Sequence, residues 1–175
     1  MTASEKQKGE RQALLSLVEV MEWPIRVAGL LSSLLILLSF GLMIFAIFQR
    51  YFLNTPLKWG DEMLGYLLVT IVMSGMAEAL RRGDHVAIDL LPSFFGSAIR
   101  IWFTRLSHGA VLGFAVIFGV SAEDVVSFSY SFGSYSPGYL EAPMWIPQST
   151  MVAGSILLGI GALSGLVRSL YRAEA

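Results

Sequence analysis

Glu78, Arg81, Arg82, Asp84, His85 and Asp89 fall within twelve positions, interleaved with apolar residues, in the stretch "GMAEALRRGDHVAIDLL" at 75–91. Carboxylates, guanidiniums and an imidazole so close together could hold a metal, relay protons, or knit an ordered loop at a membrane face. Asp84, His85 and Asp89 offer metal ligands, but no second group at a fixed spacing completes a site. A second set of groups runs into the same stretch. Glu62, Tyr66, Thr70, Ser74, Glu78 and Arg82 recur at every fourth residue. On an α-helix four residues turn about 400°, so this row winds slowly round the axis, and its twenty steps rise about 30 Å, the thickness of a hydrocarbon core. The row suits interhelical hydrogen bonds to neighbouring protein. The alternative is that Thr70 and Ser74 bond their own helix and Tyr66 joins an interfacial belt.

Catalytic chemistry finds little else to work with. His85 and His108 are the only histidines and there is no cysteine, so disulfides, thiol chemistry and cysteine-ligated metals are excluded. No Gly-rich phosphate loop, HExxH pattern or nucleophile elbow is present. No catalytic, cofactor-binding or metal-binding residue is assigned, and the chain is not expected to be an enzyme.

These groups sit in a chain built for lipid. Of its 175 residues 55% are hydrophobic and 14% charged, with a mean hydropathy of +0.65, whereas a soluble domain carries about 25% charged residues. The net charge of −1 gives no attraction to nucleic acid. Uncharged runs at 27–49 and 142–167 are each long enough to cross a bilayer. Two more spans are expected, one bounded by Glu62 and Glu78 and one beginning near His108. The reading is an all-α integral membrane protein with spans at about 27–50, 61–80, 105–126 and 143–168. These form a membrane domain at 27–175, preceded by an interfacial amphipathic helix at 1–26. In that helix Leu14, Leu17, Val18, Met21 and Ile25 share a face, Glu22 and Arg26 form an i,i+4 pair, Trp23 anchors at the interface and Pro24 marks a turn into the first span. Residues 1–26 do not read as a cleavable signal, because the apolar run after them is too long. Residues 93–104 either lie along the interface or extend the third span.

Lysine and arginine set the orientation. Lys6, Lys8, Arg11, Arg26, Arg81, Arg82, Arg100, Arg105, Arg168 and Arg172 fall on the side of the termini, and only Arg50 and Lys58 on the other. Both termini are therefore expected in the cytoplasm. The outer loop is acidic and aromatic, and Tyr135, Tyr139 and Glu141, with Lys58 and Asp61 of the shorter outer loop, could dock a soluble protein; Phe128 and Trp145 read as belt residues. Gly109 with Gly113, Gly161 with Gly165, Ser155 with Gly159 and Gly29 with Ser33 have close-packing spacing, expected mostly to serve packing within the four-helix unit. The centres of the spans lack charge, which suits scaffolding better than ion carriage.

"LKWGDEMLGYLLVTIVMSGMAEALRRGDHVAIDLLP" resembles the small membrane subunit, of DctQ type, of TRAP (tripartite ATP-independent periplasmic) transporters. Trp59 and Glu62 match the family's Trp and acidic residue at the start of the second span. Gly75, Arg81, Arg82, His85, Val86 and Asp89 match its Gly-rich helix and basic loop, and Pro143, Trp145 and Gly154 match its last span. Gly65 and Tyr66 depart from the Ala-Arg pair often found there, so no salt bridge is expected at that point. The resemblance implies a non-catalytic scaffold in the bacterial inner membrane. Its partners would be a large membrane subunit, a periplasmic binding protein that delivers an organic acid, and lipids. No cofactor is expected in this chain, and Na⁺ coupling is expected in the large subunit. The row from Glu62 to Arg82 would then face the large subunit, and Arg81, Arg82, His85 and Asp89 would order the cytoplasmic loop. Two rivals stay open: a stand-alone proton-coupled exporter using Glu78, and a membrane anchor for a redox enzyme.

Overall fold

The computed structural model describes residues 3–82 and 97–171, with side chains at 16, 18–82 and 102–169. Four helices account for nearly all of them: α1 (Ala3–Phe52), α2 (Gly60–Arg82), α3 (Ser97–Ser131) and α4 (Trp145–Tyr171). Each contains a stretch long and apolar enough to cross a membrane, at Val18–Phe52, Gly60–Arg82, Trp102–Ser131 and Trp145–Ser169. His85 and Asp89 lie outside the described residues, as do residues 93–96.

Local chemistry fixes the helix ends. Asp61 and Glu62 occupy the first turn of α2 and Arg81 and Arg82 the last, complementing the positive and negative ends of the helix dipole. α3 stops where Gly133 takes φ +58°. Ser134 N–H then donates to Ser129 O at 2.9 Å and Gly133 N–H to Tyr130 O at 3.2 Å, the pair of bonds that defines a Schellman cap. Asn54, at φ 52°, ends α1 in the left-handed region that Asn tolerates. Pro147 lies in the first turn of α4, where a missing N–H breaks no helical bond.

One boundary differs from the sequence expectation. α1 runs through Pro24 without a break, so the proline does not mark a turn. Packing offsets the hydrogen bond it removes, because Val18, Glu22 and Ile25, on the opposite face from the exposed Trp23, are buried against the other helices. Of the two alternatives left open for residues 93–104, the described part, 97–104, belongs to the same helix as the third span.

Spatial order departs from chain order. α1 packs on α2, α2 on α4 and α4 on α3, with a lesser contact between α1 and α4. The result is a row, α1–α2–α4–α3. A small residue lies at each main crossing, as expected where backbones approach without a hydrophobic drive between helices. Ser32 Oγ donates to Ile71 O at 2.9 Å between α1 and α2. A Cβ on Gly154 would come within 2.9 Å of the Met73 carbonyl oxygen between α4 and α2, and one on Gly119 within 2.9 Å of Ser155 Oγ between α3 and α4. Leu80, Ala115, Leu158 and Ala162 form the buried apolar cluster joining α2, α3 and α4. The outer helices keep large apolar side chains uncovered, including Leu37, Phe40 and Ile44 on α1 and Val116 and Ile117 on α3.

Candidate functional site

Polar chemistry concentrates at the two ends of the row. At the end that carries the termini, α2 presents Glu78, Arg81 and Arg82 from its last turns. Arg81 grips Glu78 with two hydrogen bonds, Nε to Oε2 and Nη2 to Oε1, each 2.7 Å, and Arg82 Nε donates to the same Oε1 at 2.7 Å. Arg81 also faces a second carboxylate: its Nη1 lies 3.9 Å from Glu22 Oε2 of α1. Glu22 is 1% exposed. Its Oε1 pairs with Arg168 Nη2 of α4 at 2.7 Å, and its Oε2 lies 3.8 Å from Arg26 Nη2. Three helices are thus joined through charges, with Arg81 shared between the two carboxylates. Glu78 packs closely on α1 as well: a Cβ on Gly29 would come 2.6 Å from Glu78 Cγ. Beside this network His108 Nδ1 lies 2.8 Å from Thr104 O. Because a carbonyl only accepts, Nδ1 carries the proton. His108 packs against Gly165, where a Cβ would collide with the imidazole.

At the opposite end the carboxylate of Glu62 is bonded without a guanidinium among its described partners. Glu62, in the first turn of α2, accepts from Tyr66 Oη at 2.8 Å and from the Leu140 N–H at 3.1 Å, and Ser136 Oγ donates to it closely. The last two donors come from the connection between α3 and α4. That connection closes on itself: Ser136 N–H donates to Ala142 O and Met144 N–H to Ser134 O, both at 2.9 Å, around an antiparallel bridge between Tyr135 and Pro143. Outside it Tyr135 and Tyr139 stand exposed. The ammonium of Lys58 lies 5.3 Å from the centre of the Tyr139 ring, within cation–π range.

The structure brings the sequence-selected residues together unevenly. Lys58 meets Tyr139. Tyr135 and the exposed Asp61 and Glu141 lie at the same end without a mutual bond among those described. Along the row in α2, Thr70 Oγ1 donates to Tyr66 O at 2.9 Å and Ser74 Oγ to Thr70 O at 2.5 Å. Ser74 and Glu78 are buried, Glu62, Tyr66 and Thr70 half-buried and Arg82 exposed. Their polar groups are met within the chain. Of the loop residues, Arg81 and Arg82 belong to the ionic network, and His85 and Asp89 lie outside the described residues. Among the described residues no group of three or more His, Asp or Glu could hold a metal ion.

Two residues of the site escaped sequence reasoning. Glu22 reads there as half of an i,i+4 pair with Arg26, yet its closest partner is Arg168, from the far end of the chain. Ser136 carries no signal beyond its place in a Ser-rich loop. One hint to Glu22 was available, since it falls between Val18 and Ile25 on the apolar face of its helix, where a charge must find partners.

Comparison with known proteins meets this geometry. Residues 39–172 match the family model described as "Tripartite ATP-independent periplasmic transporters, DctQ component". The chain is 33% identical over 102 residues to the C4-dicarboxylate TRAP transporter small permease protein DctQ of Rhodobacter capsulatus, a match covering 58% of this chain and 44% of that protein. It is 30% identical over 101 residues to the sialic acid TRAP transporter permease protein SiaT of Haemophilus influenzae (strain 86-028NP), covering 56% of this chain and 16% of that one. The chain thus spans less than half the length of either curated relative. No solved structure matches it. A family match over most of the chain, with four helices long and apolar enough to cross a membrane, shows that the protein belongs to the DctQ component family of tripartite ATP-independent periplasmic transporters.

Proposed function

We propose that this chain is the small scaffold subunit of a Na⁺-coupled importer of an organic acid, in which a large membrane subunit carries out transport and a periplasmic binding protein delivers the acid. The family assigns the chain to a transporter component rather than an enzyme, in a multi-pass protein of the bacterial inner membrane. The relatives' names, one a C4-dicarboxylate and one a sialic acid transporter, support an acid as the substrate class.

One observation carries the scaffold role. Glu62, Glu78, Arg81 and Arg82 of α2 are tied off at its two ends, while the outer faces of α1 and α3 remain apolar and uncovered. Such faces need lipid or another membrane helix against them. Glu78 is engaged by two arginines, which disfavours it as the proton carrier of a stand-alone exporter. In this reading the large subunit packs on the uncovered faces, and the α2 row contributes through its half-buried members Glu62, Tyr66 and Thr70 and the exposed Arg82. The arginine-rich end faces the cytoplasm with both termini, and Lys58, Asp61, Tyr135, Tyr139 and Glu141 face the binding protein. α1, about 75 Å long at 50 residues, exceeds the roughly 30 Å hydrocarbon core, so its first turns extend beyond that core on the cytoplasmic side.

Co-expression with the large subunit tests the reading. One-to-one co-purification is expected, with Na⁺-driven, binding-protein-dependent uptake in proteoliposomes and none from this chain alone. A transport-active homo-oligomer would overturn it. A fusion reporter at Ala175 that works only in the periplasm would overturn the orientation.

A further inference from the structure

We infer that Glu62 is a positioning residue for docking: its carboxylate latches the α3–α4 connection and thereby sets the placement of Tyr135 and Tyr139. The inference rests on the docking reading given above and adds the group that shapes that surface.

The geometry is specific. The latched positions are Ser136, through its hydroxyl, and Leu140, through its N–H. The exposed tyrosines are the residues immediately before them, 65% exposed at 135 and 70% at 139, while Ser136 is 7% exposed. Each tyrosine is therefore held outward by the neighbour that Glu62 holds inward. Ser136 Oγ also accepts from the Gly138 N–H at 3.2 Å, which orders the turn between the two attachment points. Gly138 lies directly on the carboxylate, and a Cβ there would collide with it; this position requires glycine for closeness, not for backbone conformation. Tyr66, half-buried one turn deeper in α2, steadies the carboxylate from the membrane side. A carboxylate can accept all of these bonds because both its oxygens are acceptors. A carboxamide of the same shape keeps the Leu140 bond only by turning its NH₂ toward the two hydroxyls, which must then reverse and accept, so every attachment loses the charge that strengthens it.

The experiment compares Glu62→Gln, Ser136→Ala, Gly138→Ala and Tyr139→Ala, each co-expressed with the large subunit. Hydrogen exchange in detergent reads the loop, and uptake titrated with loaded binding protein reads docking. Glu62→Gln and Gly138→Ala are expected to speed amide exchange across 134–142 about tenfold or more and to leave the α2 and α4 cores protected. Both should raise the half-saturating concentration of binding protein about tenfold, and Gly138→Ala, which lies outside the α2 row, should leave the maximal rate and co-purification unchanged. Ser136→Ala should do the same more weakly. A general loss of packing would instead lower the maximal rate or the yield of complex. Unchanged loop exchange in both Glu62→Gln and Gly138→Ala would overturn the latch. If Tyr139→Ala raises the half-saturating concentration and Glu62→Gln does not, the latch has no role in docking and the inference fails while the docking reading stands. If neither variant moves it, the docking reading itself fails, and the inference with it.

Discussion

Glu22 and Glu62 are the same residue at opposite ends of one bundle, and they are held in opposite ways. Glu22 is enclosed by guanidiniums from α1, α2 and α4. Glu62 has hydroxyls and a backbone N–H, and no cation among its described partners. The first arrangement ties helices to one another by charge. The second ties a loop to a helix by directed hydrogen bonds, which fix orientation while leaving the outer surface free. Charge joins helices at one end and holds a loop at the other.

The sharpest way to break this contrast is to neutralise Glu22. Glu22→Gln should destabilise the chain by about 2–3 kcal/mol, below the usual cost of breaking a fully buried pair because Arg168 is half-exposed and can turn to water. Thermal unfolding in micelles measures it, and a loss no larger than that of Glu62→Gln would erase the distinction. At the other end Tyr139→Ala should leave unfolding unchanged and speed release of the binding protein about tenfold, or ~1.4 kcal/mol, read by surface-immobilised dissociation kinetics. Glu62→Gln should cost under about 1 kcal/mol of global stability, because the bonds it loses belong to a loop. The smallest effect is expected for Lys58→Glu. Capture should slow about two- to threefold at low salt and less at 0.15 M, where an exposed charge is largely screened; a salt-independent change would show that Lys58 acts through the Tyr139 ring instead.

What could be read in the sequence follows from the range of the forces. The spans were legible because apolar length is a local property. On the apolar face read for the first residues, Val18 and Ile25 proved to be buried against protein and Met21 exposed. The pairing of Glu22 with Arg168 was not legible, since it depends on α4 lying beside α1 and α2. Small residues show the same limit. Gly161 and Gly165 pack against α1, α2 and α3, whereas a Cβ on Gly109 or Gly113 would meet nothing within 4 Å. The GxxxG spacing is identical in both cases, and only the rotation of the helix decides which pair faces inward. The outer loop shows a middle case. Its tyrosines announced a surface, but the carboxylate beneath them looked like one member of a polar row.

The row α1–α2–α4–α3 also constrains how the protein is made. Helices leave the ribosome in chain order, so α2 and α3 enter the bilayer with the place between them still empty. The helix that fills it follows both of them in the chain, and it brings Gly154 to the α2 backbone, Ser155 to Gly119 and Arg168 to Glu22. Until α4 inserts, Glu22 lacks its closest cation and α3 lacks its principal neighbour. Insertion of α4 is therefore the step that completes the described bundle.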